Sequence, residues 1–260
     1  MTEDIMNRDS FTPVANPIDN NTKKRLIALY SLGVFILLII TTGLYYRQTY
    51  FGLYDRNAIE IARTARNIAE GSGYTTSMIR PFNTNFYHTI SEYPELNHAP
   101  LPVYSVALLF KVKSVSDQAV TWVSILFLII SFIAVYMLGT VLFDYRTGLL
   151  ASVLTAISAG YLQYGLAGPE WIMAAALFTL MLAFIALHHK SAMSANRKGI
   201  VVYSILTGLM LGLLYLTHHV LAYLMIPLAV YFMLSRSFMR MGLILFAVSA
   251  ALIIVPWGVR

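Results

Sequence analysis

The side chains able to do chemistry are few. No cysteine occurs among the 260 residues, which excludes disulfides, thiolate metal sites and cysteine nucleophiles. No nucleophile elbow and no GxxxxGK[ST] phosphate loop is present. What remains is carboxylates, imidazoles and a loop arginine. Asp55 and Glu60 stand just beyond a long apolar run. A carboxylate partly desolvated at an interface binds its proton more tightly and makes a useful general base. Asp55 would equally well cap a helix N-terminus. Glu60 has a plainer role as well, a solvated pair with Arg56 one helical turn earlier. Glu170, in Gly168-Pro169-Glu170-Trp171, offers a second carboxylate for a sugar hydroxyl or a metal, or an acid for the next helix's first turn.

The imidazoles are less specific. His218 and His219 are adjacent, so on a helix they diverge by about 100° and cannot chelate one ion together. With His88 and His98 they leave room for a scattered divalent-metal site, although no HExxH spacing specifies one. Arg80 and His98 are the candidates to hold an anion, because a phosphate needs charge-assisted donors. His188 and His189, beside Lys190, read as interfacial anchors.

The surrounding chain says where these groups sit. Hydrophobic residues make up 58% and charged residues 12%, against roughly 25% charged in soluble domains. The balance is that of an all-α, polytopic membrane protein. Its +6 net charge is explained by Lys and Arg between apolar runs rather than by a nucleic-acid face. Residues 1–22 are polar and read as a disordered cytoplasmic tail, and residues 23–260 as one membrane module. Apolar runs at 26–46, 119–143, 147–166, 169–188, 199–216, 219–235 and 239–257 predict about seven spans of the ~20 residues each needs. Lys23, Lys24 and Arg25 place the N-terminus inside, so the 47–118 loop is expected outside. Ala99–Val112 covers only ~20 Å as a helix and is too short for a ~30 Å hydrocarbon core. If it does not cross, Arg146, Lys190, Arg197, Lys198, Arg236 and Arg240 all fall inside, while Asp55, Glu60, His98, Glu170, His218 and His219 gather outside. Within the outer loop, Ala58, Ile61, Ala62, Ala65, Ile68 and Ala69 recur at helical steps and predict an amphipathic helix over 56–70, stopped at Gly71.

The stretch Asn57-Ala58-Ile59-Glu60 through Ala65-Arg66-Asn67-Ile68-Ala69-Glu70-Gly71-Ser72-Gly73-Tyr74 resembles the acid-then-"ARNLAEGxGY" segment that follows the first span in the GT-C superfamily of membrane glycosyltransferases. His98-Ala99-Pro100-Leu101-Pro102-Val103-Tyr104 is similar to that superfamily's "PPLY" entry into a short helix. Weaker echoes lie at Gly168-Pro169-Glu170 and from Gly208-Leu209 through Thr217-His218-His219. Together they cover about residues 26–260. The resemblance implies inverting transfer of a sugar from a polyprenyl-phosphate carrier to a glycan, lipid or protein hydroxyl. A carboxylate would act as base and basic groups would hold the leaving phosphate. Asn57 stands where the superfamily commonly has its catalytic Asp, so the base role would pass to Asp55, with Glu60 in reserve. Superfamily members usually continue beyond the point where this chain ends, which leaves room for a partner subunit and for a second reading, a non-catalytic subunit that binds polyprenyl lipid or a protein. A transporter is the weakest reading, because the spans carry almost no charge at mid-membrane.

Overall fold

A computed structural model describes residues 20–76, 78, 93–234 and 239–258. Arg80, His88, Arg236 and all but the last three residues of the 1–22 tail lie outside the described residues. The architecture is helical. In chain order the elements are α1 (Asn20–Thr49), α2 (Arg56–Ala69), α3 (Pro100–Val112), α4 (Asp117–Leu142), α5 (Tyr145–Ile157), α6 (Ala159–Ala167), α7 (Pro169–Met193), α8 (Arg197–Thr217), a 3-10 turn (His219–Leu224), α9 (Met225–Leu234) and α10 (Met239–Gly258). Between α2 and α3 the described residues include an antiparallel two-residue pairing, Thr75 against Pro94 and Thr76 against Tyr93.

Five of these helices, α1, α4, α7, α8 and α10, are long and apolar enough to cross a bilayer. The run predicted at 147–166 is two helices, α5 and α6, bent by 67° at Ser158; counted as one, the pair makes a sixth crossing. The run predicted at 219–235 is a 3-10 turn leading into the ten-residue α9. Pro227 explains this break, because its ring clashes with the carbonyl four residues back and it lacks an N–H, so the α-helix cannot extend upstream. Among the described residues, five or six crossings are thus long and apolar enough, against the seven predicted, and 219–234 is a shorter apolar piece. Gly208 of α8 lies against Phe246 and Ser249, and Gly212 against Ala250 and Ile253, so α8 and α10 run parallel and 219–234 must return between them.

The helix starts are written locally. Side-chain oxygens of Asp55, Ser116, Asp144 and Asn196 accept from the backbone N–H three residues on, as N-caps do. Pro100 and Pro169 open α3 and α7, where a missing N–H costs nothing. The amphipathic helix is α2. It ends at Gly71, whose φ of +90° is the left-handed turn glycine adopts freely.

The main core joins Ile61 and Ala65 of α2 with Val103, Val106 and Phe110 of α3, Val120 of α4, Met173 and Leu177 of α7, and Leu211 and Leu214 of α8. The α2–α3 layer thus lies across one end of the helix bundle. At that end meet the last turn of α8, where His218 approaches Glu170, and the last turn of α10, where Trp257 packs on Tyr74 with ring centroids 5.1 Å apart. By contrast α1 is thinly attached, and Leu29, Tyr30, Leu32, Leu37 and Leu44 are exposed along it. An exposed apolar face on a long apolar helix is what lipid contact requires.

Candidate active site at the α2–α7–α8 end

Asp55 is held in an extended conformation (φ −77°, ψ 130°) at the N-cap of α2. Its Oδ1 accepts from Ala58 N–H at 2.9 Å. The half-buried carboxylate is therefore both a cap and a group fixed at the mouth of α2, with Oδ2 left out of the cap bond. Asn57 follows in the first turn, also half-buried.

One turn further on, the structure corrects the sequence reading. Glu60 does not make a solvated surface pair. Its side chain is 1% exposed and forms a bridge: Oε1 accepts from Arg56 Nε at 3.0 Å, and Oε2 lies 3.0 Å from His98 Nε2. Arg56 reaches down from the surface, its own side chain 77% exposed. His98 is brought in by the segment leading to α3. Glu95 Oε1 accepts from the backbone N–H groups of Asn97 and His98 at 2.6 and 3.2 Å, and Tyr74 Oη donates to the His98 carbonyl at 2.8 Å. Burial first, then the charges of Glu95 and Tyr104, push the Tyr74 phenol well above its ordinary pKa, so it stays protonated and keeps that donor role at neutral pH.

Glu170 enters from α7. Gly168, just before that helix, lies so close to α2 that a Cβ there would stand 2.7 Å from the Ala58 Cβ. Only a glycine lets the start of α7 rest on the start of α2. Glu170 is buried; its Oε1 lies 3.7 Å from His218 Nε2, and its Oε2 has no hydrogen-bond partner. Asp55, His98 and His218 are all close enough for their charges to act on this carboxylate. His218 is the C-cap of α8, and its ring lies 5.2 Å from that of Trp171. His219 turns elsewhere: its ring packs on Tyr215 at 5.0 Å, and its buried Nδ1 has no partner.

The site thus joins Asp55, Glu60, His98, Glu170 and His218, and leaves His219 beside it. Among the described residues, no three His, Asp or Glu side chains are placed to hold a metal ion together. Glu95, Tyr74 and Gly168 are the positioning residues that the sequence reading missed. Tyr74 and Gly168 stand inside motifs quoted from the sequence without a role given to them, and Glu95 went unnoticed. At the opposite end, His188 is not an interfacial anchor. It is 3% exposed, its Nδ1 is 3.0 Å from Tyr231 Oη, and its ring packs on Phe232.

Fold and site together define a polytopic helical membrane protein whose acids and histidines converge at one end under an amphipathic cover. A family model described as dolichyl-phosphate-mannose-protein mannosyltransferase matches residues 97–259. The chain belongs to that family, and with it to the GT-C superfamily of membrane glycosyltransferases. Its fold is similar to the crystal structure of the Archaeoglobus fulgidus oligosaccharyltransferase in the apo form, with a TM-score of 0.64 and 18% sequence identity over 87% of this chain and 29% of that one. The chain therefore spans less than a third of the length of that protein. No curated protein matches the sequence.

Proposed function

We propose that this chain is the membrane module of an inverting glycosyltransferase. It would take a hexose or pentose from a polyprenyl-phosphate carrier and pass it to a hydroxyl of a glycan, lipid or protein on the outer membrane face. The observation that carries the reading is the convergence of Asp55, Glu60, His98, Glu170 and His218, from separate elements, at one end of a chain of this family.

In the proposed reaction the acceptor hydroxyl gives its proton to the Asp55 carboxylate, and its oxygen attacks the anomeric carbon. The bond from that carbon to the carrier phosphate oxygen breaks, and the phosphate leaves with the electron pair. Asp55 suits the base role better than Glu60, because both oxygens of Glu60 are engaged, one by Arg56 and one by His98. Glu60 and His98 then hold the α2–α3 cover in register. The unpartnered Oε2 of Glu170 is suited to orient a substrate hydroxyl. His218 and Arg56 are the groups proposed to face the leaving phosphate. The charge distribution supports the outer-face assignment. Arg146, Lys190, Arg197 and Lys198 fall in the connections at the end opposite the site, as expected if that end is cytoplasmic.

One observation favours a second reading, a non-catalytic lipid-binding module: Asp55 Oδ1 is committed to capping α2, and an amide, Asn57, follows two residues on. The test is transfer of radiolabelled sugar from a panel of polyprenyl-phosphate sugars by the full chain in proteoliposomes, with carrier binding measured in parallel. Transfer that falls in Asp55→Asn and Glu170→Gln supports the enzyme. Carrier binding without any transfer by the unmodified chain would leave the second reading in its place.

A further inference from the structure

The end of α1 and the linker to α2 enclose a cavity of about 410 Å³ against α6, a volume within the ~300–1,000 Å³ of small-molecule sites. Its walls include Tyr45, Tyr46, Thr49, Tyr50, Tyr54 and Gln163. The Tyr46 and Tyr50 rings form a tilted pair with centroids 4.7 Å apart, and Tyr54 Oη donates to the Gln163 carbonyl at 3.3 Å. From this geometry we infer that the cavity is a binding site for an uncharged saccharide, the acceptor glycan of the transfer proposed above.

Two observations point to that occupant. The lining holds phenols, a threonine hydroxyl and a glutamine but no Lys, Arg, Asp or Glu. A phosphate would need charge-assisted donors that are missing here, whereas a neutral polyol is matched by hydroxyls and the flat faces of aromatic rings. Both walls also lead to the acids. Tyr54 directly precedes Asp55, and Leu166, at the far wall, is four residues from Glu170. The cavity is thus joined through short stretches of chain to both carboxylates of the candidate active site. A carrier chain would be a poorer occupant, since hydrocarbon gains nothing from a cluster of phenol hydroxyls.

This inference rests on the glycosyltransferase reading for the word acceptor, but it can be tested apart from it. Saturation-transfer NMR would be recorded on the full chain in nanodiscs with a set of neutral methyl glycosides (methyl mannoside, methyl galactoside, methyl glucoside). At least one glycoside is expected to show saturation transfer that falls at least fivefold in Tyr46→Ala and in Tyr50→Ala but persists in His188→Phe, at the opposite end of the bundle. Circular dichroism would verify that each variant keeps its helix content. Tyr46→Phe and Tyr50→Phe, which keep the rings and lose only the hydroxyls, supply conservative variants with an intermediate loss. If no glycoside shows transfer to the unmodified chain, or the signal survives both alanine variants, the inference is overturned. It is also overturned if the alanine variants weaken binding of polyprenyl phosphate while no glycoside binds, since the cavity would then be a lipid site. Glycoside binding without sugar transfer would sink the enzyme reading alone. Sugar transfer without glycoside binding would sink this inference alone.

Discussion

Two buried histidines, one at each end of the helix bundle, show how a site differs from packing. His188 meets a phenol and the rings of Tyr231 and Phe232, a neutral environment that satisfies it and asks for nothing more. His98 meets the Glu60 carboxylate in a neighbourhood that also holds Asp55, Glu170 and His218. Stability alone does not call for so many ionisable groups in one place, since buried pairs contribute little net free energy against apolar replacements. A second contrast runs parallel to the first. At both ends a glycine sets a close approach, Gly168 on Ala58 at the site and Gly199 on Ser191 at the far end, yet only the first one positions a carboxylate.

Substitutions can break this comparison. The largest effect is expected for Asp55→Asn. Asparagine caps a helix about as well as aspartate, so melting in detergent should be unchanged while transfer falls about 10²–10⁴-fold, the usual worth of a general base. Asp55→Ala should lose the same activity and also about 1 kcal/mol of stability. Next comes Glu60→Gln, which leaves His98 facing an amide. Its cost should be on the order of 2–3 kcal/mol, read from thermal unfolding. That is less than for a fully buried pair, because Arg56 is mostly exposed. Gly168→Ala should push the start of α7 off α2 and cut transfer by up to about 10²-fold through misplacement of Glu170. Gly199→Ala, its far-end counterpart, should instead cost about 1–3 kcal/mol by overpacking with transfer per folded molecule unchanged. The smallest effect belongs to His188→Phe. It removes one hydrogen bond to Tyr231 and should cost about 1 kcal/mol, with no change in transfer. Equal activity losses from His188→Phe and Glu60→Gln would erase the distinction between the two ends.

Much of this was legible in the sequence because hydropathy and helix caps act locally. The 3.6-residue recurrence of small apolar residues after Asp55 predicted α2 nearly to its ends, and the apolar run Ala99–Val112 foretold the short helix α3, Pro100–Val112. The burial of Glu60 was hidden. Its spacing from Arg56 also describes a surface pair, and the residue that makes the difference, His98, stands 38 positions away beyond a segment with no periodicity. The 67° bend at Ser158 was overlooked for a different reason: no proline marks it, and only Ser158 and Gly160, set among apolar residues, signal the kink. His188 was misread from nearby Lys190, because residues two apart on a helix point about 200° apart, to opposite faces, and one can be buried while the other is wet.

The central claim is one of place: the acids beneath the α2–α3 cover are where a sugar changes hands. Electron cryomicroscopy of the full chain in nanodiscs, loaded with a polyprenyl-phosphate sugar, tests it most directly. The account predicts density for the sugar beside Asp55 and Glu170, with the phosphate facing His218 or Arg56. Density for the headgroup at the His188 end, or on a face of the bundle remote from Asp55, would contradict it.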